Sequence, residues 1–186
     1  MLTAKYSDAQ GDEFLDFARK VLEVQFSGEE IKVPDKLHFR QARGVFVTLT
    51  KKSKLRGCVG FPHASYSLGD AIKQSVKAAA FEDFRFPPVI GEEVKNLKIE
   101  ISVLTEPYEI EKSDDWVKKI EIGKDGLICK YLGYSGLLLP QVATENKMSK
   151  LEFLEAVCQK AGIPKDSWQN PNTKFYKFHA QIFKEK

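Results

Sequence analysis

The run from Gly44 to Gly60 constrains this chain most. Val45, Val47 and Leu49 alternate with Phe46, Thr48 and Thr50, a period of two built from β-branched and aromatic residues. Lys51-Lys52-Ser53-Lys54 reads as a solvated turn, and Leu55 to Gly60 brings the chain back as a short second strand that breaks at its glycines. A lone hairpin is marginal in water and needs more strands or a helix against its apolar face. The rest of the chain offers both.

Helical spacing marks Asp8 to about Gln25, with Phe14, Phe17, Ala18, Val21 and Leu22 on one face and a stop at Ser27-Gly28. The stretch through Val33-Pro34-Asp35 to Arg43 reads as a connector. Ser67 to Phe84 is the clearest helix: Ser67 caps it, Asp70 follows, and Leu68, Ala71, Ile72, Ser75, Val76, Ala79 and Ala80 give a small-residue face suited to close packing on a sheet. Pro87-Pro88 ends that element.

Leu97 to Leu104 is a strand with Leu97, Ile99, Ile101 and Val103 inward. Gly126 to Tyr131 and Leu137 to Leu139 read as short strands around turns at Gly133 and Gly136. Ser149 and Glu152 form a capping box for a helix with the stripe Leu151, Leu154, Val157, Cys158 and Ala161, stopped by Gly162 and Pro164. Lys174 to Phe183 is a half-buried strand with Tyr176, Phe178, Ala180 and Ile182 inward. Hairpin-joined strands interrupted by helices predict an α+β fold, mainly antiparallel, with packed helices.

With 186 residues, 42% hydrophobic and 30% charged, the chain fits one domain able to bury a real core. Its 29 basic and 26 acidic residues leave a net charge of +3, too near balance to announce nucleic-acid binding. Cys58, Cys129 and Cys158 are widely spaced, without zinc or redox-motif spacing, and are expected to be free thiols in a reducing cytoplasm. The opening residues lack a signal-peptide pattern and no run is apolar enough to span a bilayer, so secretion and membrane association are not expected. Neither a metal nor a cofactor is expected.

Arg56-Gly57-Cys58-Val59-Gly60 carries the strongest chemical signal. Gly57 and Gly60 permit close approach of another chain or a ligand. Arg56 beside the thiol would favour the thiolate, and His63 would reach back as a base. The structural alternative is a tight turn around a small buried cysteine. Glu82-Asp83-Phe84-Arg85-Phe86 sets two carboxylates and an arginine just beyond a helix end, where Asp83 would move a proton and Arg85 would hold a ligand. The alternative there is an ion pair that fixes the helix exit. Gln141, after Leu139-Pro140, is a candidate cleft residue. Gly123 to Gly126 and Gly133 to Gly136 read as hairpin turns, without phosphate-cradling spacing. Lys174 to His179 interleaves basic and aromatic residues, which suits either stacked bases or an amphipathic edge strand. Cys129 and Cys158 read as core, and His38 and His179 have no obvious partners.

Leu55 to Gly60, Arg85 to Pro88, Ile99 to Leu104, Gly126 to Ile128, Leu139 to Val142 and Lys160 to Gly162 occur in an order and spacing that resembles the AMMECR family. The resemblance runs from about Gly44 to the C-terminus. It implies an α+β fold with a larger and a smaller lobe. It also implies company with a Memo-type protein or a radical S-adenosylmethionine enzyme, and a role in modifying RNA or another cellular substrate. The family hallmark maps onto Leu55 to Gly60. Phe84 and Met148 depart from the residues many relatives carry, and both read as packing changes.

Three functions compete. In an enzyme, Cys58 would be the nucleophile or acceptor, His63 and Asp83 would move protons, and Arg56, Gly57, Gly60, Arg85 and Gln141 would bind substrate. In a binding module, the Arg56 to Gly60 loop and the basic C-terminal strand would hold RNA, a nucleotide or a partner protein. In a scaffold, the chain would serve a Memo-type or radical S-adenosylmethionine partner.

Overall fold

Ser7 opens the first helix, accepting from the Gln10 backbone N–H while the Gln10 side chain reaches back to the Ser7 N–H. The computed structural model describes residues 6–186. Its elements are α1 (Asp8–Val24), α2 (Leu37–Arg40), β1 (Gly44–Lys51), β2 (Lys54–Phe61), α3 (Leu68–Phe81), β3 (Leu97–Leu104), β4 (Tyr108–Glu109), β5 (Asp125–Tyr131), β6 (Tyr134–Leu138), α4 (Pro140–Glu145), α5 (Lys150–Lys160) and β7 (Lys174–Lys184). The fold is α+β, and the strand pairings described below are antiparallel.

The chain divides into two units. The first runs up to Leu104 and takes back Gln181–Lys186, and the second is Thr105–Ala180. In the first, β1 lies between β2 and β3. Val45, Val47, Leu49, Ile99 and Ile101 point to one face and are fully or almost fully buried with Ala71, Ile72, Val76 and Ala79 of α3 and Phe14, Phe17 and Val21 of α1. The β1–β2 turn is only Lys52-Ser53, both at positive φ, so the strands run up to Lys51 and from Lys54. That is the backbone a two-residue hairpin loop requires.

In the second unit β5 lies between β6 and β7, and β4 pairs with β7. Leu127, Cys129, Phe153, Leu154, Val157, Cys158 and Phe175 make its core. Ser149 and Glu152 form the expected capping box of α5.

Several local expectations need correction. The connector before β1 contains the short helix α2, whose Phe39 is buried against Phe14 and Phe17. Helix α3 stops at Phe81, not Phe84. Gly136 is a strand residue of β6, because the turn is Leu132-Gly133. Leu151 is exposed and Phe153 takes its place in the core. In β7 the buried residues are Phe175, Phe178 and Phe183. Phe175 and Phe178 both lie in the second unit yet have opposite parity, so both faces of the strand are covered there.

Candidate functional site

Cys58 sits on β2 opposite Thr48 of β1. Its side chain is half-buried, and the Thr48 hydroxyl donates to Sγ at 3.1 Å. The close side-chain contact fits a pair whose backbone groups turn away from each other. Those groups point to the outer edge of β2, where another strand would normally lie. There the Asp83 carboxylate accepts from the Cys58 N–H at 2.8 Å and the Arg85 guanidinium donates to the Cys58 carbonyl at 3.2 Å. One carboxylate and one guanidinium thus take the place of a neighbouring strand at Cys58.

Burial pushes the Cys58 thiol above its ordinary range, and the Asp83 and Glu100 carboxylates push the same way. The Thr48 hydroxyl and the Arg85 charge oppose this without reversing it. Arg56 does not act on the thiol. Its side chain turns to Glu93, at 3.2 and 2.8 Å, and to the carbonyls of Pro87 and Pro88. Paired with Arg56 and Lys51, Glu93 is held at a pKa of about 2.

Asp83 is buried and ionised. Arg85 donates to it from Nε at 2.8 Å, from a terminal nitrogen at 2.6 Å and from its backbone N–H at 3.2 Å. These bonds, opposed by burial and reinforced by the Cys58 N–H, hold its pKa at about 2. A carboxylate so fully committed is a poor proton carrier at neutral pH.

The segment from Glu82 to Pro88 is fixed at several points. Besides the bonds to Cys58 and Arg56, the Phe86 N–H donates to the Asp83 carbonyl at 3.0 Å and the Val89 N–H returns to the Ala80 carbonyl at 2.8 Å. At its tip Phe84 is 97% exposed. The expectation of a packing change at Phe84 is therefore wrong. Met148, by contrast, is packed against the core of the second unit.

The two glycines have steric roles. A Cβ on Gly57 would stand 2.0 Å from the Ala79 carbonyl of α3, and one on Gly60 would stand 2.1 Å from the Val45 carbonyl of β1. Both allow backbone contact that a side chain would block. His63 is exposed at the bend beyond β2, and no hydrogen bond joins its ring to Cys58. Gln141 lies in the second unit, half-buried at the second position of α4. Clefts of about 780 and 430 Å³ in the first unit are lined mainly by α1 with neighbouring segments, and neither includes Cys58.

Both histidines thought to lack partners have carboxylates. His38 Nε2 lies 2.8 Å from Glu13, and His179 Nε2 lies 3.0 Å from the fully buried Asp125. Lys177 is held by Asp125 at 3.0 Å and by the Lys119 carbonyl, and Lys174 pairs with Glu109. The cations of the C-terminal strand are thus already engaged. The Asp125 cluster escaped sequence reading because Lys124-Asp125-Gly126 has turn composition, whereas Asp125 is the first residue of β5. Among the described residues, no group of three or more His, Cys, Asp and Glu side chains is placed to hold a metal ion. No described helix is long and apolar enough to cross a membrane.

The fold and the Leu55 to Gly60 strand define an α+β protein whose hairpin edge is clamped at Cys58 by Asp83 and Arg85. The sequence profile of the AMMECR1 family matches residues 15–183, and the chain belongs to that family. A protein of Methanothermobacter thermautotrophicus is 45% identical over 100% of this chain and 99% of its own length. One from Nanoarchaeum equitans is 44% identical over 90% of this chain and 96% of its own. The crystal structure of an uncharacterized protein from Pyrococcus horikoshii superposes with a TM-score of 0.93 at 42% identity, covering 98% of this chain and 95% of that one.

Proposed function

We propose that this chain is a protein-binding module whose partner docks on the Phe84 loop, with Leu55 to Gly60 as the floor that holds the loop in place. The observation that carries this reading is a phenylalanine 97% exposed on a backbone fixed from several sides. A large aromatic presented without conformational freedom loses little entropy on binding and makes an effective anchor. Leu55 of β2 and Ile90, two residues beyond Pro88, are exposed as well. The partner class to test is the one the family resemblance suggests, a Memo-type protein or a radical S-adenosylmethionine enzyme.

Calorimetric titration of each such protein with the wild-type chain and with Phe84→Ala tests the proposal. The variant is expected to fold and melt like wild type, since its side chain packs against little. It should weaken binding about tenfold or more, the equivalent of ~1.4 kcal/mol. Equal affinity for both forms, or no binding by wild type at micromolar concentration, would reject the reading.

The catalytic reading of Cys58 retains two observations in its favour: the residue is only half-buried, and the Arg85 charge draws the thiol pKa down against burial. RNA or nucleotide binding by β7 is supported less, because Lys174 and Lys177 are engaged with carboxylates.

A further inference from the structure

The core of the second unit holds a pair of thiols to which the proposed function gives no role. Cys129 on β5 and Cys158 on α5 are both fully buried, with their sulfurs 3.9 Å apart. We propose that this pair is a modification site: hydrogen peroxide converts it into an intramolecular disulfide that staples α5 to β5.

Three observations carry the inference. First, the sulfurs are already in contact, so small side-chain rotations separate them from the ~2.05 Å bond length. Second, the pair is unequal. The contact with Cys129 draws the Cys158 thiol down, against burial, and the Lys112 charge and the Trp168 N–H act the same way. Cys129 is pushed up, by its bond to Cys158 and then by burial. The Trp168 N–H faces Cys158 and not Cys129, so Cys158 is the sulfur placed to attack and Cys129 the one placed to resolve it. Third, Lys112 is fixed within the same unit. Its ammonium donates to the carbonyls of Trp168 at 3.0 Å and Asn170 at 2.6 Å and lies over the Trp116 and Phe175 rings. A cation held there favours sulfur anions in a core that would otherwise oppose them.

The chemistry balances with hydrogen peroxide as the sole oxidant. Cys158 sulfur attacks one peroxide oxygen. The O–O bond breaks, an S–O bond forms, and the departing hydroxide takes the Cys158 proton as water. Cys129 sulfur then attacks the sulfenic sulfur. The S–S bond forms, the S–O bond breaks, and hydroxide leaves with the Cys129 proton as a second water. Two thiols are oxidised and one peroxide is reduced. A water-sized oxidant is needed, because a bulky disulfide reagent has no room in a core with both sulfurs fully buried.

The test treats the folded full-length chain with hydrogen peroxide below denaturing conditions, with fold retention followed by near-UV circular dichroism. The expected result is a fall in denatured thiol titre from three to one and a mass loss of about 2 Da, the two thiol hydrogens. Peptide mapping should link Cys129 to Cys158, and Cys58→Ser should leave the linkage intact. The urea midpoint should rise on oxidation and return on reduction. Cys129→Ser should stop the reaction at a Cys158 sulfenic acid, trapped by dimedone supplied in the denaturant that opens the core after the peroxide is removed. Three surviving thiols in the folded chain, a crosslink through Cys58, or oxidation only once denaturant is added would overturn the proposal. So would a trapped sulfenic acid on Cys129 in Cys158→Ser with none on Cys158 in Cys129→Ser.

Discussion

Cys58 illustrates how neighbours decide what a residue is. Its type and its setting between Gly57 and Gly60 suggest an activated thiol, yet Arg56 leans away to Glu93 and burial keeps the thiol protonated. Iodoacetamide is therefore expected to alkylate Cys58 more slowly than a free cysteine at pH 7, with the rate rising only above the ordinary pKa of ~8.5. A fast reaction with a low apparent pKa, read by peptide mapping, would restore the nucleophile. Asp83 gives a second prediction. Its folded pKa of about 2 lies below the ordinary 3.8, so it contributes stability that is complete above pH 4 and is lost as pH falls through 2. After discounting for the partly exposed Arg85, that contribution is about 1–2 kcal/mol. Asp83→Asn should flatten the acid limb of the stability–pH curve by that amount in urea titrations. Both side chains were visible in the sequence as candidates. Their partners were not, because Asp83 and Cys58 meet across a sheet edge and sequence spacing does not report such a contact.

At the scale of elements, the hairpin, α1, the capped α5 and the inward face of β3 follow from local pattern, since periodicity and caps act within a few residues. The end of α3 does not. Helix-forming residues continue past Phe81, but the Cys58 N–H and Arg85 claim the Asp83 side chain, and the chain leaves the helix there. The same contact explains Gly57. Strand β2 approaches α3 so closely that Gly57→Ala would force a Cβ against the Ala79 carbonyl, which is backbone and cannot rotate aside. We expect a loss of about 3 kcal/mol or more in chemical denaturation. A loss below 1 kcal/mol would mean that the strand can lift from the helix at little cost.

At the scale of the molecule, the last residues of the chain belong to the unit built by its first half. Glu185 is the tie. It pairs with Arg19 of α1, its Oε2 accepts from the Ile99 N–H at 2.8 Å, and its own N–H donates to the Ile99 carbonyl at 3.0 Å. Arg19 also donates to the carbonyls of Val94 and Leu97. Arg19→Ala would strand a partly buried carboxylate and two carbonyls, and thermal denaturation should show a loss of about 2–3 kcal/mol. Glu185→Gln, which keeps hydrogen-bonding capacity, should lose less. A smaller loss for Arg19→Ala than for Glu185→Gln would contradict this account.

The sequence by itself determined the α+β class, most helices and strands, the inward faces of α1, α3 and β3, the burial of Cys129 and Cys158, and the family. Each of these rests on periodicity, capping or a linear order of segments, all of which are properties of neighbours along the chain. Only the tertiary structure decided that Arg56 serves Glu93, that Asp83 and Arg85 bind the Cys58 backbone at the β2 edge, that Phe84 stands in solvent, and that His179 and Lys177 surround Asp125. Those outcomes depend on which distant groups compete for one hydrogen-bond donor or one buried charge, and that competition is settled only when the chain is folded.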